Sequence, residues 1–167
     1  MREVRELRFS SADERFGALL GVDPLQAMLN QAAASGHSET GGILIGRYSN
    51  AGAVATIADA TAKPPGSRFG LSWFTRGNKG LKKLLEARWS DGDHYLGEWH
   101  FHPGGSASPS GPDEVAMRAV ASDERYRCRE PLLAILGGWP GREWAVTLTV
   151  FPVNENPIPL FQNDPSS

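Results

Sequence analysis

The chain has 167 residues, a length typical of a single domain, since domains cluster at about 100–200 residues. Hydrophobic residues make up 40% of the chain and charged residues 22%, which favours a globular protein over a disordered one. Lysines and arginines number 17 against 19 aspartates and glutamates, so the net charge is -2. Without an overall basic field, nucleic acid is not favoured as a partner.

The cysteine count restricts the kinds of site that the chain can build. The one cysteine, Cys128, excludes an intramolecular disulfide and zinc sites that need two or four cysteines. Arginines flank Cys128 and could lower its pKa, but without a histidine base in register we expect it to be structural. A metal site would therefore use carboxylates and the four histidines, of which His37 and His94 are expected to be ordinary surface or turn residues.

No segment approaches the ~20 consecutive apolar residues that span a bilayer. The charged N-terminal residues lack the apolar core of a signal peptide. We therefore expect a cytoplasmic protein without a membrane partner, which agrees with the low cysteine content.

The positions of apolar, glycine and proline residues predict strands and helices joined by short connections. In chain order, the pattern predicts a weak strand at residues 2–9, a helix from Asp23 as N-cap and Pro24 as first residue to about residue 34, strands at 41–48, 53–60 and 71–75, a helix at 78–89, a strand at 95–102, a helix at 110–122, and strands at 131–136 and 144–151. Residues 10–22 predict no element, residues 63–70 predict a loop, and residues 152–167, with four prolines, predict a mobile tail.

This order of elements favours an α/β (α+β) class with one antiparallel-rich mixed sheet flanked by helices. We expect a single domain over residues 1–167, with its core at about residues 23–151.

The most informative segment is His100-Phe101-His102-Pro103, at the end of a predicted strand. Side chains two residues apart share one face of a strand, so His100 and His102 project together, with their Cα atoms roughly 6–7 Å apart. That spacing lets both imidazoles reach one cation. Trp99 and Phe101 then point the other way, into the core.

Ser110-Gly111-Pro112-Asp113 opens the next predicted helix and would return the carboxylate of Asp113 to the end of the strand. Two imidazoles and one carboxylate suit zinc and leave a fourth position for water, as in catalytic zinc sites. Two structural interpretations stay open, and both can hold at the same time. A His-x-His pair is more often an ordinary surface or core pair, and Ser-x-x-Asp before a helix is a capping box.

A catalytic site of this kind needs a general base within hydrogen-bond range of the attacking water. Glu39 is the candidate, because it directly precedes Thr40-Gly41-Gly42, where glycines let the backbone approach a neighbouring strand closely. Glu98, on the strand face of His100, is a rival base, although it could equally make a structural ion pair.

These residues match a known pattern at two separated places. Glu39-Thr40-Gly41-Gly42, then His100-x-His102-Pro103, then Ser110 and Asp113, resemble the signature of the JAMM (MPN-plus) metalloproteases over roughly residues 23–150. The resemblance implies a single MPN/JAB-like domain with zinc-dependent peptidase or isopeptidase activity. It further implies one zinc per chain bound by His100, His102 and Asp113, Glu39 as general base and proton shuttle, and Ser110 as hydrogen-bond donor to the oxyanion. Phe101 departs from the pattern, where a small hydroxyl residue is more usual, but it faces away from the metal.

The short length, Gly-Glu-Trp before the first histidine and the Pro-Pro-Gly loop resemble a bacterial subgroup of that family. Its members are stand-alone JAMM proteins encoded beside homologues of ubiquitin-activating and ubiquitin-conjugating enzymes, notably in CBASS-type anti-phage operons. In those operons a cyclic-nucleotide synthase is conjugated to targets through its C-terminus. The resemblance thus implies cleavage of the amide bond after the C-terminus of a ubiquitin-like or conjugated protein, either to deconjugate it or to process a precursor.

The expected substrate is a protein with an extended C-terminal tail, which would pair beside a sheet edge between the loops at residues 63–70 and 104–109. An operon-encoded activating or conjugating enzyme homologue is a further candidate partner. Two alternatives stay open. A non-catalytic scaffold of the same fold would bind through its sheet edge, although such relatives usually lose metal ligands that this chain has. A hydrolase of a small peptide or amino-acid conjugate would share the site without needing a groove for a protein tail.

Overall fold

The structure is a computed structural model and describes residues 3–62 and 79–163. Within these residues it has eight strands and three α-helices. The strands are β1 (Leu7–Ser10), β2 (Gly17–Leu20), β3 (Thr40–Ser49), β4 (Val54–Ala60), β5 (His94–Pro103), β6 (Leu132–Gly138), β7 (Trp144–Val150) and β8 (Ile158–Gln162). The helices are α1 (Val22–Ser35), α2 (Lys79–Ser90) and α3 (Gly111–Ser122). The predicted loop at residues 63–70, the predicted strand at 71–75 and residue 78 of the predicted helix lie outside the described residues.

The strands close into a barrel in the order β1-β2-β4-β3-β5-β6-β7-β8, with β8 paired to β1. β2 runs parallel to β4 and β5 runs parallel to β6, whereas the other neighbouring pairs are antiparallel. The α/β class and the antiparallel-rich mixed sheet predicted from the sequence are thus confirmed. Closure removes the long unpaired edges that an open sheet would present.

Both ends of the chain contribute strands that the sequence pattern did not predict. β2 lies within residues 10–22, for which no element was expected, and pairs with β4. Residues 152–163 do not form the expected mobile tail, because they include β8, which pairs with β7 and β1. The expected core limits of 23–151 are therefore too narrow. The expectation of a mobile tail was wrong because it rested on the proline content, and the prolines do not prevent a five-residue strand here. Leu160 of this strand packs into the barrel interior.

α1 begins before the Asp23-Pro24 pair that was expected to start it. Its N-cap is Gly21, which makes no side-chain hydrogen bond, and Asp23 and Pro24 lie in the first turn. Proline is tolerated there because the first backbone N–H groups of a helix have no intrahelical partner. The apolar stripe predicted from Leu25, Met28 and Leu29 is buried as expected.

The barrel interior holds the main hydrophobic core, which joins residues from all eight strands with the buried face of α1. Two smaller clusters lie outside the barrel. α2 packs Leu81 and Leu85 over β3 and β5, and α3 packs Met117 over β6. The candidate site lies on this outer face of β5, beside the first turn of α3. No helix in the described ranges is long and apolar enough to cross a membrane.

Gly42 provides the close approach that was expected of the glycines at the start of β3. A Cβ atom at Gly42 would lie 1.7 Å from the carbonyl oxygen of Thr61 and 2.8 Å from Nε1 of Trp99. Because that space stays open, Nε1 of Trp99 donates to the Thr61 carbonyl at 2.8 Å, and the Thr61 N–H donates to the carbonyl of Ile43 at 2.9 Å. β3, β5 and the end of β4 therefore meet beside Glu39.

Candidate functional site

β5 alternates as the sequence predicts. Trp99 and Phe101 are fully buried in the barrel interior, and His100 projects from the outer face. The register between β3 and β5 shifts between the pairs Leu44–Gly97 and Ile45–Tyr95, which inserts one extra residue into β5. His100 is 3% exposed, so its imidazole lies in a largely desolvated place.

The first turn of α3 brings Asp113 to the histidines. Ser110 is the N-cap: its Oγ accepts the backbone N–H of Asp113 at 3.2 Å, and Oδ2 of Asp113 accepts the backbone N–H of Ser110 at 2.8 Å. The capping box expected as a structural interpretation is therefore present. It does not compete with a metal-binding role, because Oδ1 of the same carboxylate lies 2.7 Å from Nδ1 of His100.

Both ring nitrogens of His100 contact carboxylates. Nδ1 faces Asp113, and Nε2 lies 3.1 Å from Oε2 of Glu98. Burial opposes a charge on His100, but the hydrogen bonds and negative charges of Asp113 and Glu98 outweigh it and raise its pKa to about 9. Burial likewise opposes the charge of Asp113, yet hydrogen bonds from His100 and Ser110 lower its pKa to about 2. The position of the His100 ring therefore favours a positive charge.

The two ring nitrogens of His102 have different contacts. Nδ1 donates to the carbonyl oxygen of Ser106 at 3.2 Å, and Nε2 lies 3.5 Å from Oδ2 of Asp113. A carbonyl only accepts, so Nδ1 carries a hydrogen, and Nε2 is the nitrogen on the side of Asp113. This is the arrangement of a histidine whose outer hydrogen bond selects the ligating nitrogen.

Glu39 immediately precedes β3 and lies across from the histidines of β5. The register pairs Thr40 with Phe101 and Gly41 with His100; continued by one residue, it sets Glu39 opposite His102. All five site residues predicted from the sequence line one cleft of about 530 Å³. Its lining residues are Glu39, His100, Phe101, His102, Ser106, Ser108, Pro109, Ser110, Pro112 and Asp113.

Glu98 makes the structural ion pair that was the alternative to its role as a base. It is 4% exposed, contacts His100 and is absent from the cleft lining. The other two histidines and Cys128 also lie away from the cleft. His37 is edge-on to Trp139 and His94 contacts Tyr48. Burial raises the pKa of the Cys128 thiol to about 11, which fits the structural role expected for it.

Hydrogen bonds that the sequence pattern did not predict hold the loop between His102 and Ser110. The N–H of Gly104 donates to the carbonyl of Gly138 at 2.9 Å, and the hydroxyl of Thr147 donates to the carbonyl of Ala107. The glycines at the end of β6 were the available signal. A Cβ atom at Gly137 would lie 2.7 Å from the backbone nitrogen of Ala107, so only glycine lets the loop lie this close.

Among residues 3–62 and 79–163, no three histidine, cysteine or acidic side chains already stand in position to hold a metal ion. The candidate ligands are hydrogen-bonded to one another instead, since Asp113 reaches toward both imidazoles. The donor set nevertheless fits a divalent cation. Two imidazoles and a carboxylate converge at one cleft, and the surrounding carboxylates favour positive charge there.

The chain matches the family described as prokaryotic homologs of the JAB domain over residues 22–148. The chain belongs to this prokaryotic JAB family. A curated relative from Enterobacter hormaechei subsp. hoffmannii (strain UCI 50), named CD-NTase/cGAS isopeptidase, is 41% identical over 157 residues, which covers 94% of this chain and 87% of the relative. A solution structure of a protein from Desulfitobacterium hafniense has a TM-score of 0.56 at 16% identity and covers 84% of this chain and 86% of that one. At that identity, the likeness supports the fold alone.

Membership in the prokaryotic JAB family confirms the resemblance and the fold class predicted from the sequence. Together with the relative named an isopeptidase, it makes this chain an enzyme of the hydrolase class. All five residues of the candidate site lie within the matched residues 22–148.

Proposed function

We propose that this prokaryotic JAB protein is a zinc-dependent isopeptidase that hydrolyses the amide bond after the C-terminus of a conjugated protein. We further propose that the conjugated protein is a CD-NTase, as in the name of the 41% identical relative. The observation that carries the proposal is the meeting of two histidines, one aspartate and one glutamate in a single cleft, from three separate segments of the chain.

The metal that we propose is zinc, because two imidazoles and one carboxylate are a typical ligand set of catalytic zinc. His100, His102 and Asp113 would hold one ion per chain. Zinc bound there would polarise the scissile carbonyl and lower the pKa of a water molecule in the site. His102 is suited to binding a metal because its Nδ1 hydrogen is donated to the carbonyl of Ser106, and its Nε2 faces Asp113.

Glu39 would carry the proton transfers. Its carboxylate lines the cleft opposite the histidine strand, where it can accept a proton from the attacking water. The same carboxylate would then protonate the leaving amine, which in an isopeptide is the ε-amine of a lysine. Glu98 is unsuited to this task, because it is buried behind His100 and does not face the cleft.

Ser110 would stabilise the oxyanion. Its Oγ accepts the N–H of Asp113. The hydrogen of the same hydroxyl can still be donated to an acceptor in the cleft. A hydroxyl held at the N-cap of a helix can donate to the negative oxygen of a tetrahedral intermediate without moving. The capping bond therefore fixes the position of the donor oxygen.

The substrate tail would lie along the start of β3. β5 pairs with β3 from Thr40 onward, whereas β4 pairs with it only from Leu44 onward. In the described residues, the β4 side of residues 40–42 is therefore without a strand partner, and an extended peptide could pair there next to Glu39. Backbone pairing holds a peptide without demanding a particular sequence, which suits a flexible C-terminal tail.

The test is turnover by the purified full chain of a CD-NTase joined through its C-terminus to a lysine ε-amine of a second protein. We expect zinc near one equivalent and release of the intact C-terminus, with a dipeptide of the same terminal residues cleaved poorly. Less than about half an equivalent of zinc, with no activity restored by adding it, would contradict the metal assignment. Equal rates on the dipeptide would favour a hydrolase of small conjugates, and binding without turnover would favour a scaffold.

A further inference from the structure

A hydrogen-bonded chain of buried side chains runs behind His100, on the side away from the cleft. The Tyr95 hydroxyl donates to Oε1 of Glu98 at 3.4 Å, and Oε2 of Glu98 lies 3.1 Å from Nε2 of His100. Tyr95 is fully buried and Glu98 is 4% exposed. None of the steps proposed for Glu39 or Ser110 uses these hydrogen bonds.

Burying a carboxylate costs free energy unless its oxygens are hydrogen-bonded, so the arrangement around Glu98 has to be specified by the fold. The extra residue in β5 does this. Residues three apart in a regular strand point to opposite faces, but the bulge between Tyr95 and Gly97 returns Tyr95 to the face of Glu98. Tyr126 packs against Tyr95 with ring centroids 4.8 Å apart, which fixes the phenol in place.

Both nitrogens of His100 contact a carboxylate, but only one of these carboxylates lines the cleft. Nε2 contacts the buried Glu98, which is absent from the cleft lining, whereas Nδ1 faces the candidate ligand Asp113 at 2.7 Å. If a metal displaced the hydrogen of one nitrogen, Nδ1 would be the nitrogen on its side, and Nε2 would keep its hydrogen bond to Glu98. His102 has the reverse assignment, because its Nδ1 donates to Ser106. A carboxylate hydrogen-bonded to a ligating imidazole fixes the ring orientation and makes the other nitrogen a better ligand.

We propose that Glu98 is a positioning residue for the metal centre: by holding the Nε2 hydrogen of His100, it presents Nδ1 of that ring to the metal. The inference rests on the proposed function, because it takes His100 as a ligand. Glu98 itself touches neither substrate nor attacking water. Tyr95 supports it by using the second carboxylate oxygen.

The test measures zinc affinity by competition with a chromophoric chelator, independently of turnover. We expect Glu98→Ala to weaken zinc binding about 10–100-fold, and Glu98→Gln to restore most of the affinity, because its amide oxygen still accepts the Nε2 hydrogen. Asp93→Asn is the matched control. It removes another carboxylate that is 14% exposed, just before the opposite end of β5, and we expect unchanged zinc affinity.

A second readout applies to the wild-type chain, so the inference stays testable if Glu98→Ala fails to fold. Nitrogen-15 NMR of the zinc-loaded protein should show His100 protonated at Nε2 and His102 protonated at Nδ1. Unchanged zinc affinity in Glu98→Ala, or zinc on Nε2 of His100, would overturn the inference and leave the proposed function standing. A wild-type chain that binds no zinc would overturn both.

Discussion

Oδ1 of Asp113 lies 2.7 Å from Nδ1 of His100, a contact that joins the first turn of α3 to the outer face of β5. The other oxygen of the same carboxylate accepts the N–H of Ser110 and closes the capping box. Helix capping and the positioning of a candidate ligand are therefore performed by one side chain. A substitution at Asp113 would alter both at once, so the roles in the cleft are better separated at Glu39 and Ser110.

Replacing Glu39 with glutamine removes the proposed base and keeps the size of the side chain. We expect kcat to fall about 10²–10⁴-fold, the usual contribution of a general base, with zinc content and unfolding free energy unchanged because Glu39 is exposed. Steady-state kinetics and elemental analysis measure these quantities. Glu124→Gln, an exposed carboxylate outside the cleft, should behave as wild type. Full turnover by zinc-loaded Glu39→Gln would show that another group is the base.

Replacing Ser110 tests whether its hydroxyl does more than cap α3. Ser110→Ala should lower the unfolding free energy by about 0.5–2 kcal/mol through the lost cap and lower kcat about 10²–10³-fold through the lost oxyanion donor. Ser110→Gly separates the two effects, because glycine costs only a few tenths of a kcal/mol as an N-cap. We expect Ser110→Gly to lose as much kcat as Ser110→Ala. If Ser110→Gly keeps wild-type kcat, the hydroxyl has only a structural role.

Asp93 stabilises the turn before β5 in a pH-dependent way. It accepts from Nε of Arg47 at 2.9 Å and from Nε of Arg88 at 3.1 Å. The hydrogen bond from Arg47 lowers the pKa of Asp93, burial opposes this, and the bond from Arg88 adds to the lowering. Because the folded pKa is below the unfolded value of about 3.9, the stabilisation is present above that pH and is lost as the pH falls through the folded pKa.

We therefore expect Asp93→Asn to lower the unfolding free energy by about 1–3 kcal/mol at neutral pH. The difference from wild type should shrink as the pH falls below about 4. Urea unfolding across this range measures both effects, with the exposed Asp91→Asn as control. A difference that stays constant to the lowest pH would mean that the charge of Asp93 is not the source of the stability.

Gly42 should not tolerate even a methyl group. A Cβ atom there would lie 1.7 Å from the Thr61 carbonyl oxygen, a backbone atom that cannot move without disturbing the end of β4. We expect Gly42→Ala to cost at least about 3 kcal/mol in unfolding free energy, at the upper end of overpacking costs. Gly111→Ala is the matched control, because nothing lies within 4 Å of its Cβ position, and it should be neutral or stabilising by about 0.4–1 kcal/mol. Equal stabilities of the two variants would contradict the close approach.

The residues of the candidate site could be predicted from the sequence because their relationships are local. Strand alternation puts His100 and His102 on one face, and the Ser-x-x-Asp pattern puts Asp113 on the first turn of a helix. The apolar stripe of α1 was readable for the same reason, as it needs only helical spacing. These periodicities depend on backbone geometry and not on distant contacts, so the sequence by itself determined the candidate ligands and the family resemblance.

Only the tertiary structure decided which groups meet across the chain. Closure of the barrel by β2 and β8 depends on pairing between segments far apart in sequence, which no local periodicity reports. The bulge in β5 turned Tyr95 to the face that Glu98 and His100 share, and packing buried Glu98 against the imidazole, away from the cleft. The register of β3 against β5 brought Glu39 to His102, because hydrogen bonding along the whole strand pair, and not the residues beside Glu39, sets that alignment.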